Sequence, residues 1–292
     1  MNTVLKLAVA SALLCGAALA HGATLDTTTA ANNIAPPAGA PSPTGGDGIL
    51  QNFSGIDWNA NGAGWVQGFG LTSANMQGDS DTFTFTYQAF AGSIGTTSPT
   101  PDLYVAPPGT ATGTYELTTY SVLSETATCL NDGCSSILIS LNSGSWTIYF
   151  DTSPDANQAL GTGFLDGVAI LSGTWDSGAS TFISNGIPPG SPGSFGTGGG
   201  FLTGTVTTTN NAYVNPSLSG TTLQASLQYP GQTAPTYTRP AAFNGVSTDG
   251  DSQTNFVLQT DTSQNFTVPE PTTLALLGVG LLASGFVARR RR

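Results

Sequence analysis

The clearest periodicity in the chain is two. From Thr82 to Phe90 threonines alternate with Phe83, Phe85 and Tyr87, which share one face of an extended segment. This predicts a strand with an aromatic face in a core and a threonine face toward water. Trp146, Ile148 and Phe150 alternate in the same way, as do Leu223, Ala225, Leu227 and Tyr229. Further strands are predicted over 114–124, 135–141, 145–150, 167–175, 200–209, 222–229 and 255–260. Turn signals separate them: Asn142-Ser143-Gly144, Ser153-Pro154-Asp155, Asp176-Ser177-Gly178 and Asp249-Gly250-Asp251. No long 3.6-residue pattern occurs between Gly22 and Pro269. The stretch 158–165 allows one or two helical turns at most, broken by Gly161 and Gly163. Many short strands with frequent turns predict an all-β body, an antiparallel β-sandwich of jelly-roll-like type.

Both ends break this pattern. Met1 to Lys6 carries one positive charge, an apolar run follows to Ala20, and Ala18-Leu19-Ala20 offers small residues for signal peptidase. Residues 1–20 are read as a signal helix cut after Ala20. Cys15 belongs to its apolar run, because Leu14 before it is too large for a lipoprotein signal. At the other end stand Val268, Pro269, Glu270 and Pro271, then an uncharged segment, 272–288, then Arg289, Arg290, Arg291 and Arg292. Such a segment would rise about 25 Å as a helix, near the lower limit for a bilayer span. The arginines act as a stop-transfer signal and stay cytoplasmic. The expected organisation is a signal peptide (1–20), an extracellular β body (21–266) and a sorting tail (267–292). Pro/Gly-rich runs make 35–46 and 185–200 flexible loops within the body.

Charge follows the same division. The chain carries 17 acids and 6 Lys or Arg. Only Arg239 lies in the body, together with every acid but Glu270, so the exported part is near −15. Such a surface excludes nucleic acid as a partner and leaves membrane contact to the tail before cleavage. Cys129 and Cys134 bracket Leu130-Asn131-Asp132-Gly133, a turn sequence, and in an oxidising compartment they are expected to form a disulfide across a hairpin tip.

Catalytic options are few. The single histidine, His21, falls at the expected new N-terminus, which removes Ser-His-Asp and Cys-His chemistry from the body. A body without lysine has no lysine nucleophile. The run Gly196-Thr197-Gly198-Gly199-Gly200 lacks the lysine and the strand–helix context of a phosphate loop. Paired carboxylates could hydrolyse sugars, with Glu116, Glu125, Asp151, Asp155, Asp166 and Asp176 as candidates. Asp79 with Asp81, and Asp249 with Asp251, offer paired oxygen ligands beside turns for calcium. No other cofactor is expected. Trp58 and Trp65 flank a polar loop and are candidates for stacking on a sugar, against the plainer reading of core packing.

The tail resembles the PEP-CTERM signal that exosortases recognise in Gram-negative, polysaccharide-secreting bacteria. The body resembles the flocculation-associated proteins of that class. That second resemblance rests on the order of Gly113-Thr114-Tyr115-Glu116-Leu117-Thr118, Gly144-Ser145-Trp146-Thr147-Ile148-Tyr149-Phe150-Asp151, Gly163-Phe164-Leu165-Asp166-Gly167, Ile170-Leu171-Ser172-Gly173 and Phe266-Thr267-Val268-Pro269-Glu270-Pro271. It implies a non-enzymatic protein that is transiently membrane-anchored, cut by exosortase and delivered to the cell surface or extracellular matrix. There it would promote floc or biofilm formation with matrix polysaccharide. The alternatives are a secreted carbohydrate-active enzyme using paired carboxylates and a calcium-stabilised adhesin.

Overall fold

Long strands with one apolar face bury that face without a partner layer if the sheet closes on itself, and this chain takes that route. The computed structural model describes residues 23–26, 49–96, 103–104, 115–151, 154–184, 196–231, 239–248 and 252–267. The expected signal helix, the membrane helix at 272–288, the loop at 35–46 and most of the loop at 185–200 lie outside these residues. The regular elements among the described residues are strands. They are β1 (Ala23–Asp26), β2 (Ile49–Trp58), β3 (Ala63–Gln67), β4 (Ser80–Thr96), β5 (Leu103–Tyr104), β6 (Glu116–Cys129), β7 (Ser136–Asp151) and β8 (Val168–Ser184). There follow β9 (Gly196–Thr209), β10 (Val214–Asn215), β11 (Thr222–Tyr229), β12 (Ala242–Phe243), β13 (Val246–Ser247), β14 (Asn255–Gln259) and β15 (Asp261–Phe266).

The sandwich expected from the sequence is corrected to a closed eight-stranded barrel. β4, β6, β7, β8, β9, β11 and β15 pair in succession, each antiparallel to the next, and β2 closes the ring by pairing with both β15 and β4. Ring order follows chain order, so the barrel is of the up-and-down kind. β3 continues β2 along β4, and β14 runs into β15 through Thr260 while pairing with β3. A sandwich and a closed meander need the same alternation of apolar and polar residues. Only the double engagement of β2 separates them, and that is a long-range pairing.

Two predicted turns are interior to strands. β7 joins the expected strands 135–141 and 145–150 straight through Asn142-Ser143-Gly144, and β8 passes through Asp176-Ser177-Gly178 with a register shift between Trp175 and Ser177. Gly144 is there for space: a Cβ would lie 3.0 Å from the Trp175 ring. The glycine run that opens β9, read as loop, is likewise strand.

Aromatic rings fill the barrel. Trp146 lies 6.1 Å from Trp175 and 6.3 Å from Phe266, Phe266 lies 5.4 Å from Phe53, and Tyr229 meets Phe85 and Phe182 edge-on. A cavity of about 20 Å³ remains, walled by Phe69, Phe83, Phe85, Phe182, Phe256 and Glu125 among others. That is room for about one water molecule among these packed rings. Outside the wall, segment 239–248 covers β3 and β14. Phe243 stacks on Trp65 at 5.6 Å above Ala63 and Val257.

Candidate functional site

Six carboxylates were candidates for paired chemistry, and the fold brings three of them together. Glu116 opens β6 and stands opposite Asp151, which ends β7. Asp155 arrives from the segment that follows. One oxygen from each of the three lies within 4.8 Å of the others. The Asp155 and Ala156 N–H groups donate to Glu116 Oε1, each at 3.1 Å. Thr118 Oγ1 donates to the Phe164 carbonyl at 2.8 Å, and Phe164 is buried, so the segment 154–167 is pinned over the start of β6. Gly163 has φ +78°, and a Cβ there would stand 2.5 Å from Asp155 Oδ1. Only glycine lets the segment pass this close.

Burial pushes the Glu116 carboxyl up to about 7, and the charges of Asp155 and Asp151 add to the rise. The two backbone N–H donors oppose it without cancelling it. Asp155 is raised too, first by burial and then by Asp166 and Asp151. Chemically the cluster can hold a shared proton, or it can present oxygens alone to a hard cation. Glu116 is itself completely buried, so a sugar oxygen has no path to its carboxyl in this conformation.

The remaining candidate carboxylates are dispersed. Asp166 is exposed and acts on the cluster through its charge. Asp176 lies on the outer wall and accepts the Thr174 and Thr205 hydroxyls at 2.9 and 2.6 Å. Glu125 points into the barrel, 3% exposed, with Oε2 lacking a hydrogen-bond partner. Burial pushes its carboxyl up to about 8. Its register places it with Leu123 and Ala127 on the inward face of β6. That parity was readable in the sequence, but a glutamate in a Thr/Ser-rich strand gave no reason to count inward.

The other expected sites fall out as follows. Asp79 Oδ2 accepts the Met76 N–H at 2.9 Å and the Asn75 amide at 3.1 Å, which holds its carboxyl below the usual range. Asp81 Oδ2 accepts the Gly70 N–H at 2.7 Å. Both close turns. Asp249 and Asp251 lie outside the described residues, as do Val268 to Pro271 and Arg289 to Arg292. Trp58 is 1% exposed and Trp65 8%, so as placed here neither indole offers a face to a sugar. Cys129 and Cys134 are disulfide-bonded. Their hairpin is fastened to the loop before β4 by Gly78 N–H donating to the Cys129 carbonyl and Cys129 N–H donating to Asp79, both at 2.9 Å.

Comparison with known proteins identifies one segment. The model of the PEP-CTERM protein-sorting motif matches residues 267–292. No curated protein and no solved structure matches the chain. The motif marks an exported, exosortase-processed protein whose maturation takes place at the membrane on the way to the cell surface.

Proposed function

We propose that this is a non-enzymatic surface or matrix protein that promotes cell aggregation together with secreted polysaccharide. The observation that carries the reading is the sorting motif at 267–292, directly after the last barrel strand. Other features are consistent with it. The body is a closed barrel, acidic overall, whose outward strand positions are rich in Ser and Thr with exposed Val122, Val168, Ile183 and Phe201 among them. The partner is matrix polysaccharide, and exosortase and signal peptidase act during export. Deletion of the gene should leave cells dispersed while polysaccharide secretion continues, and normal flocs in the deletion strain would reject the reading. The enzyme alternative would place Glu116 as the acid opposite Asp151. Reducing sugar released by the purified protein, and lost in E116Q, would establish it instead.

A second reading, a calcium-stabilised adhesin, is favoured by the convergence of Glu116, Asp151 and Asp155. Calcium should then raise the melting temperature, and D151N should abolish the rise. A melting temperature indifferent to calcium ends that reading.

A further inference from the structure

The outer wall carries one aromatic ring that packing does not explain. Phe201, on β9, is 75% exposed, and among the described residues it is the only aromatic side chain that stands largely in solvent. Its cross-strand partners are Ala179 on β8 and Ser226 on β11. Two positions back on the same face stands Gly199. Three of the smallest residues therefore surround the ring, and it stands proud of the sheet. The next positions are Thr203, opposite Gln224 and Ser177, and Gly199, opposite Gln228 and Thr181. These nine positions cover roughly 10 by 13 Å at ordinary strand and residue spacings. They contain no ionisable group, in a body near −15.

Resting on the proposed role in the matrix, the geometry points to this face as a binding platform for a neutral polysaccharide. A sugar ring would lay its C–H face on Phe201, and the Gln224 and Gln228 amides and the Thr203 and Ser226 hydroxyls would meet its hydroxyls. Charge selects the occupant. An anionic polymer or a second acidic copy meets general repulsion, and a cationic partner finds carboxylates only at the border, Asp261 opposite Gln228 and Asp176 beside Ser177. A neutral polymer meets neither obstacle. Glutamine and serine supply donors and acceptors without charge.

The test is pull-down of the full-length protein in detergent by an insoluble β-glucan, an α-glucan and a mannan, with alginate as the anionic control. Binding is expected to at least one neutral polymer and not to alginate. F201A should weaken it about tenfold, and F201W should preserve it. The melting temperature of F201A should match wild type, because the ring is exposed. Failure to bind any of the three neutral polymers, or equal binding by F201A, overturns the platform. So does a drop in sedimenting mass in F201A, which would make the face a contact between copies. The aggregation role is judged separately. If the deletion strain disperses while an F201A strain still forms flocs, the platform fails and the aggregation role stands.

Discussion

Trp146 and Gly173 stand opposite each other in the ladder between β7 and β8, and a Cβ on Gly173 would lie 2.5 Å from the indole. The same arrangement recurs one strand away, where Gly204 faces Trp175 and a Cβ would lie 2.9 Å from its ring. Bulky rings on one strand of the barrel are accommodated by missing side chains on the next. G173A should therefore destabilise the protein by overpacking, by about 1–3 kcal/mol, and G204A should do the same. Urea unfolding measures both, and an unchanged midpoint for G173A would show that the wall yields freely.

Stability should fall as pH rises above the acid range. Glu116 and Glu125 have ordinary values of 4.5 and are held in the fold up to about 7 and about 8. Between these limits the native protein binds more protons than the unfolded chain, so the contribution is complete below 4.5 and is lost as pH climbs through 7 to 8. The melting temperature should be higher at pH 6 than at pH 9. E125Q cannot ionise and should flatten the upper part of the profile.

Reduction should loosen one end of the barrel. The Cys129–Cys134 bond closes a short loop, and the chain-entropy relation for such a loop gives about 2 kcal/mol. The double serine variant should lose about that amount in urea unfolding, with amide exchange rising first around 129–136 and in the loop before β4.

The clasp formed by segment 239–248 is held by the Phe243–Trp65 stack and by the Ala241 N–H donating to the Ala159 carbonyl at 2.9 Å. W65A removes a buried indole from beneath Phe243 and should cost about 3 kcal/mol or more. Limited proteolysis of W65A is expected to begin within 239–248, and a cut elsewhere would place the weak point outside the clasp.

Processing should depend on the tail motif alone. Replacing Pro269, Glu270 and Pro271 by alanine should leave an uncut, membrane-associated chain, read as a larger mass in the membrane fraction. Soluble protein of mature mass from that variant would place the recognition elsewhere.

Local chemistry was legible residue by residue. The alternation through Phe83, Phe85 and Tyr87 marks the inward face of β4, the strand expected at 222–229 has those bounds, the one expected at 255–260 runs over Asn255–Gln259, and the cysteines are bonded. The errors share a cause. Asn142-Ser143-Gly144 and the glycines before Phe201 have turn chemistry, but the ladders on either side hold them extended; Gly144 and Gly196 make space for the Trp175 and Phe182 rings, and Gly198 to Gly200 lie close against the backbone of the neighbouring strands. Trp58 and Trp65 flank a polar loop in sequence, yet each is covered in the fold.

The sequence by itself determined the class of the elements, the disulfide and the sorting tail, because each rests on residues within a short span. Closure of the barrel, the meeting of Glu116, Asp151 and Asp155, the burial of Glu125 and the isolation of Phe201 on an uncharged wall were decided only by the tertiary structure. Closure depends on β2 meeting β15 from the far end of the chain, and the others depend on the register of whole strands against their neighbours. A shift of one residue turns a side chain from core to solvent, and a sparse local pattern such as Leu123, Glu125 and Ala127 does not by itself choose the face.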